Sequence, residues 1–296
     1  MTETPVDPSP ETVSIHAHAK INLYLHVIGQ RDDGYHELDS LVGFTEFSDL
    51  LTVAKNANLA LDIEGPFAGS LSQNGDNLVL TAAKMLANEA GIQPEAKIIL
   101  HKNLPVASGI GGGSADAAAA LKALNSFWQI GLSEEALAKI GLEIGADVPA
   151  CLRSKTARMA GIGEQISEIE ANLDVGVLLV NPGVPISTPE VFRARRGAFS
   201  EAVTGLNWDD KFGLYDLLLG LKNDLQSPAV QLVPEIKSVL EVLQSLKDCR
   251  VAKLSGSGAT CFGLFDDSGA AKIAEQKIRK SNPSWWVQAT YFVCEK

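Results

Sequence analysis

Apolar and polar positions alternate from Val13 to Gly29 (VSIHAHAKINLYLHVIG), with enough β-branched residues to predict a strand that Gly29 ends. A DG turn at Asp33 and Gly34 then sits between extended runs in RDDGYHELDSLVGFTEF, which predicts a hairpin. LLTVAK and LALDIEG add two more strands. At Asn77 the period changes. NLVLTAAKMLANEA spaces its apolar residues for a helix of about four turns, with Asp76 or Asn77 as N-cap and Gly91 as its stop. AKIILHKNLP is a further strand, which delivers the chain to a glycine-rich loop, and Ala115 to Trp128 is the helix behind that loop. LSEEALAKIGLEIG is another helix, capped by Ser133 and ended by Gly145.

Residues 151–167 predict a hairpin, and DVGVLLVNPG a wholly apolar buried strand running into a Pro-Gly turn. The chain then changes character: helical stretches at WDDKFGLYDLLLGLKNDL and PEIKSVLEVLQSLKD, a strand-loop-strand at VAKLSGSGATCFGLF, a helix from Ser268 and a last strand WWVQATYFV. This order predicts an α+β chain with a smaller sandwich at its C-terminal end. The expected division is a disordered tail at 1–12, one domain at 13–167 and a second at 168–296.

Composition narrows the function classes. The chain has 296 residues, 46% of them hydrophobic, and a net charge of −11. That balance argues against a non-specific nucleic-acid binder and against a partner for anionic membranes, so any anionic ligand needs a local site. The four cysteines, Cys151, Cys249, Cys261 and Cys294, are far apart with no zinc spacing, and read as reduced thiols. The acidic, Pro-rich start lacks a signal peptide's basic and apolar regions, and no apolar run is of membrane-spanning length, so the cytoplasm is the expected location.

The richest stretch is PVASGIGGGSADAAAAL, residues 105–121. Gly109, Gly111, Gly112 and Gly113 permit positive φ and close backbone approach, Ser114 can cap the helix that follows, and a helix start presents unpaired N–H groups to phosphate. The loop lacks the Lys-Ser/Thr of GxxxxGK[ST], which argues against a Walker-type NTPase. As a dinucleotide fingerprint it has Ser114 where the third glycine belongs.

Several single residues carry two readings. Asp147 in GADVP is either an N-cap or a base; Lys102 is either a solvated strand-end lysine or a phosphate-directed charge. Tyr35 and His36 offer a ring and a polar edge beside the turn. Asp116 complements a helix dipole yet would repel ATP, a conflict that bound Mg²⁺ resolves. His16 and His18 share a strand face without a third metal ligand and are assigned nothing.

PVASGIGGGSADAAAAL resembles the second motif of the GHMP kinases, and LSGSGATCFGLF their third. Ile110 and Ala115 stand where leucine and a second serine are usual. AKINLYLHVIGQRDDGYHELDSLV, GADVPACL, NPGVPISTPEVF and KNDL are closer still to one branch of that family. The acceptor of that branch is the 2-hydroxyl of the methylerythritol part of a cytidine diphosphate derivative, used in non-mevalonate isoprenoid biosynthesis; mevalonate- or homoserine-type kinases are the alternative. The resemblance implies a two-domain GHMP architecture, an N-terminal mixed sheet with helices and a smaller C-terminal α/β sandwich. It implies ATP as cofactor with Mg²⁺ travelling on it and no side chain assigned to the metal, and a small-molecule substrate, with no nucleic acid and no membrane. By the resemblance, ATP is bound by Pro105, Val106, Ala107, Ser108, Gly109, Ile110, Gly111, Gly112, Gly113, Ser114 and Ala115. Asp147 is the implied base. Lys20, a cation among apolar neighbours that needs a partner, has Asp147 as its natural one. The implied substrate-binding residues are Asn22, on the strand face of Lys20, with Tyr35, His36, Lys102, Thr188 and Phe192, the last closing a stack over the cytosine. Ser255 to Gly258 are implied to lie near the active site.

Overall fold

The computed structural model describes residues 10–71, 77–170 and 173–293. Most of the expected tail at 1–12, and with it Asp76 and Cys294, lies outside the described residues. The alternating N-terminal stretch becomes β1 (Thr12–Gln30), turned back at Asp33 and Gly34 into β2 (His36–Ala54). β3 (Ala60–Glu64), β4 (Lys97–His101), β5 (Ala157–Gly161) and β6 (Gln165–Glu168) complete a six-stranded sheet in the order β3-β4-β2-β5-β6, with β1 also on β2. Because β3 runs parallel to β4 while the other pairs are antiparallel, the sheet is mixed. Register shifts in β1 at His18/Lys20 and Asn22/Tyr24 re-aim its side chains. Lys20 and Asn22 thereby line a cleft while Ile21 and Leu23 stay in the core.

Four helices cover this sheet: α1 (Leu78–Ala90), α2 (Gly112–Phe127), α3 (Glu134–Ile144) and α4 (Val148–Arg153). Asn77 caps α1 through Val79 N–H and Gly91 stops it in a left-handed conformation; Ser133 caps α3 through Ala136 N–H. α2 is buried almost all round, and its alanines allow β1, α1 and α4 to pack closely on it.

The second sheet has the order β10-β7-β9-β8, from β7 (Gly176–Asn181), β8 (Val251–Leu254), β9 (Cys261–Phe265) and β10 (Trp286–Tyr291). Both faces of β7 are buried, which is why residues 176–180 are all apolar or glycine. Leu178 and Val180 pack with α8 (Glu235–Ser245) and α9 (Ser268–Ser281), whereas Val177 and Leu179 pack with Ile21 and Leu23 of β1. α5 (Thr188–Ala194), α6 (Lys211–Gly220) and α7 (Gln226–Leu232) lie between the strands. Among the described residues, no helix is long and apolar enough to cross a membrane.

Four local expectations change. LLTVAK is not a strand of its own, because β2 runs unbroken from His36 to Ala54. The hairpin expected at 151–167 is β5 and β6, preceded by α4, which takes residues up to Arg153. The helix expected through Leu225 stops at Gly220, and Lys222 to Asp224 return to β1: Leu25 N–H donates to Lys222 O, and Asp224 N–H to Leu25 O. Finally, α2 begins at Gly112, not Ala115, with Gly111 as N-cap at φ +65°, so Ser114 lies inside the first turn and caps nothing. Three glycines can start a helix because Gly111 adopts the left-handed conformation that an L side chain resists.

Candidate functional site

A cleft of about 1180 Å³ runs between the two sheets, lined by β1, the loop before α2, Asp147, the start of α5 and the loop between β8 and β9. The loop at 105–111 and the first turn of α2 form one wall. With α2 starting at Gly112, the N–H groups of Gly112, Gly113 and Ser114 have no partner inside the helix, and they sit at the positive end of its dipole. The wall suits an anion held by main chain.

That wall is fastened to the other glycine loop. Ser255 Oγ donates to Gly109 O at 2.9 Å, Thr260 N–H donates to Ser108 O at 3.0 Å, and Asn22 N–H donates to Ser255 Oγ at 3.1 Å. Gly109, at φ +76°, is where the loops touch: a Cβ there would come 2.4 Å from Ser255 O and 2.5 Å from Gly258 N. Gly109→Ala is therefore expected to part the loops and cost about 1–3 kcal/mol for the backbone conformation alone. Gly113→Ala, whose Cβ would meet only Leu78 Cδ1 at 3.4 Å, should be tolerated. Denaturant midpoints of the two variants check the contrast, and equal stability would show that the loops do not need their close approach.

Lys20 and Asp147 are brought together: Nζ lies 2.8 Å from Oδ1, with the lysine side chain 6% exposed and the aspartate 36%. Asp147 occupies the N-cap position of α4 but its carboxylate caps no N–H; it turns to Lys20 instead. Lys20 N–H donates to Ile110 O, and Gly111 packs on the lysine stem, so the pair sits at the foot of the glycine loop. Asn22 lies two residues along, its Nδ2 donating to Ser40 Oγ at 2.8 Å.

The cleft's other side is aromatic. His36 stacks on Phe192 with ring centroids 4.9 Å apart and planes 26° apart, while Tyr35 is 62% exposed and lines the cleft beside them. Burial, with Arg195 nearby, lowers the His36 pKa and favours the neutral ring. Thr188 Oγ1 lies 2.7 Å from Ser257 Oγ, joining α5 to the C-terminal glycine loop.

Lys102 is not a free charge. It is 2% exposed, and its Nζ donates to Asp49 Oδ2 at 2.5 Å and Asp116 Oδ2 at 2.6 Å. Burial works against its ammonium, but Asp116 and Asp49 outweigh burial and raise its pKa. Asp49 also accepts from the N–H groups of Asn103 and Leu104, so the cluster fixes the turn that leads to the phosphate wall. Asp116 Oδ1 is buried with no hydrogen-bond partner. His16 and His18, left without a role above, bond to Ser48 Oγ and Thr45 O across the hairpin.

Asp49 and Asn223 escaped the sequence reading. Asn223 donates to Leu254 O and Gly256 O and so holds the second glycine loop. An aspartate among apolar strand residues is the same signal that singles out Lys20, and FSDLL carries it; KNDL carries Asn223 with no signal beyond the resemblance.

Residues 77–155 match the GHMP kinases N terminal domain, and residues 211–284 match GHMP kinases C terminal. A 4-diphosphocytidyl-2-C-methyl-D-erythritol kinase of Granulibacter bethesdensis is 51% identical over 89% of this chain and 88% of its own. One of Rhodospirillum rubrum is 44% identical over 97% and 94%. A crystal structure of 4-(cytidine 5'-diphospho)-2C-methyl-D-erythritol kinase superposes with a TM-score of 0.77 at 31% identity, covering 96% of this chain and 100% of that one. With the lysine–aspartate pair set between two interlocked glycine loops, these likenesses run the length of the molecule, and the chain belongs to the 4-diphosphocytidyl-2-C-methyl-D-erythritol kinase family of the GHMP kinases.

Proposed function

We propose that the protein transfers the γ-phosphoryl group of ATP to the 2-hydroxyl of 4-diphosphocytidyl-2-C-methyl-D-erythritol. The observation that carries this reading is the Lys20–Asp147 pair at the foot of the glycine loop, in one cleft with the His36–Phe192 stack. Phosphoryl transfer passes through a loose transition state, so the protein's task is positioning and charge stabilisation. The residues from Pro105 to Ala115 bind ATP, the phosphates resting on the N–H groups at the start of α2. Asp147 accepts the proton of the attacking hydroxyl as the new O–P bond forms and the bond from the γ-phosphorus to ADP breaks. Lys20 holds the Asp147 carboxylate in place and steadies charge on the transferring group. Asn22 and Thr188 orient the acceptor, and Tyr35, His36 and Phe192 receive the cytosine. Lys102 acts from behind the wall, through Asp116 and the turn at 102–104.

Mg²⁺ belongs to this reading too. The orphaned Asp116 Oδ1 beside the phosphate wall fits a divalent cation, and Asp116 would hold it. When bound, the ion neutralises phosphate charge. The chain divides near residue 167 into an ATP-binding part and a C-terminal part, in keeping with the break between β6 and β7.

Coupled ADP release with three alcohols tests the assignment. Release is expected with the diphosphocytidyl alcohol and not with mevalonate or homoserine; release with mevalonate alone would sink it.

A further inference from the structure

An acidic protein that receives two anions in one cleft needs cations there, and those lining this cleft can be followed one by one. Lys20 is paired with Asp147, and Lys102 with Asp49 and Asp116. The His36 pKa is lowered by burial and then by Arg195, which disfavours a charged ring there. The cations left are Arg193, Arg195 and Arg196, and among the described residues none of the three has a carboxylate within 4.0 Å. Three like charges within four residues repel one another, and among the described residues no carboxylate lies close enough to pair with them.

These side chains are nonetheless braced. Arg193 Nε donates to Pro189 O at 3.2 Å along α5. Arg195 lies over the Phe199 ring, 5.1 Å from its centroid, and donates to Ala198 O at 2.6 Å. Arg196 Nη1 donates to the carbonyls of Arg193 and Arg195 at 2.6 and 2.8 Å. Carbonyl bonds fix the guanidinium groups without neutralising them, and each keeps N–H groups that have no protein partner among the described residues. Such pre-organised forks match phosphate oxygens in pairs. Arg193 directly follows Phe192, so the cluster adjoins the ring stack.

We propose that Arg193, Arg195 and Arg196 form the receiving site for the diphosphate of the acceptor. The cleft then holds its two anions by different chemistry: main-chain N–H groups for the ATP phosphates, guanidinium forks for the diphosphate attached to cytidine. This keeps ATP from the acceptor's place and makes acceptor binding the more salt-sensitive of the two. The identity of the acceptor rests on the proposed function above.

Calorimetric titration of the full-length protein with CDP, cytidine and ATP tests the site, using the wild type, Arg195→Gln and the triple variant Arg193→Gln/Arg195→Gln/Arg196→Gln. The wild type is expected to prefer CDP to cytidine. The triple variant should lose CDP affinity about 10- to 100-fold, with cytidine and ATP affinities unchanged and a flatter dependence of CDP binding on salt. Arg195→Gln alone should show part of that loss. Retained CDP affinity overturns the proposal. So does a parallel fall for CDP and cytidine, which would make the arginines a support of the ring stack, and so does a wild type indifferent to the diphosphate. ADP release by the wild type on the diphosphocytidyl alcohol separates the two claims: its absence would remove the acceptor assignment, while the CDP-to-cytidine ratio still decides the arginine site.

Discussion

Replacing Asp147 by asparagine is expected to lower turnover about 10²- to 10⁴-fold, the range that a positioned general base supplies. The fold should hardly notice. The Asp147 carboxylate caps no helix N–H, its side chain is 36% exposed, and an amide oxygen in its place still accepts from Lys20. An interaction made chiefly in the transition state lowers kcat and kcat/KM together, whereas a disturbed site raises KM. The measurement is ADP release at saturating ATP beside a thermal melt of the same preparation. Near-normal turnover in a folded variant would take Asp147 out of the chemistry.

The largest stability effect is expected at Lys102. Lys102→Met leaves Asp49 and Asp116 facing each other in the interior with no cation, and removing one partner from a buried ion pair typically costs about 3–5 kcal/mol. Asp49 would keep the Asn103 and Leu104 N–H groups, but Asp116 would lose its hydrogen-bond partner. Adding Asp116→Asn removes one of the two stranded charges and should restore part of the loss. Urea unfolding of the wild type, the single and the double variant measures both steps. A single variant as stable as the wild type would mean that Lys102 contributes no net stability where it lies.

How far the sequence carries depends on the range over which each cause acts. β1, the hairpin turn, α1 with Asn77 and Gly91, and α3 with Ser133 follow from local pattern and caps, and they stand where the pattern puts them. α4, α5 and α7 did not show because six or seven residues complete too little of the helical period to register. The start of α2 was misread because Ser114 has the right chemistry for a cap while Gly111 has the right conformation, and conformation won. Lys102 was undecided for a different reason: its partners Asp49 and Asp116 are 53 and 14 residues away in the chain, and nothing local pairs them with it. That Lys20 needs a counter-charge was legible from its apolar strand, but that Asp147 provides it followed from the resemblance.

The bond from Asn22 N–H to Ser255 Oγ joins residues 233 apart, and Leu25 bridges to Asn223 in the same way. A chain synthesised from its amino end therefore makes β1 and the phosphate wall long before the segment that locks them exists. The N-terminal sheet can collapse early, but the cleft is finished only once the last third of the chain has folded back. A ligand that touches both walls of the cleft then stabilises the completed molecule by mass action.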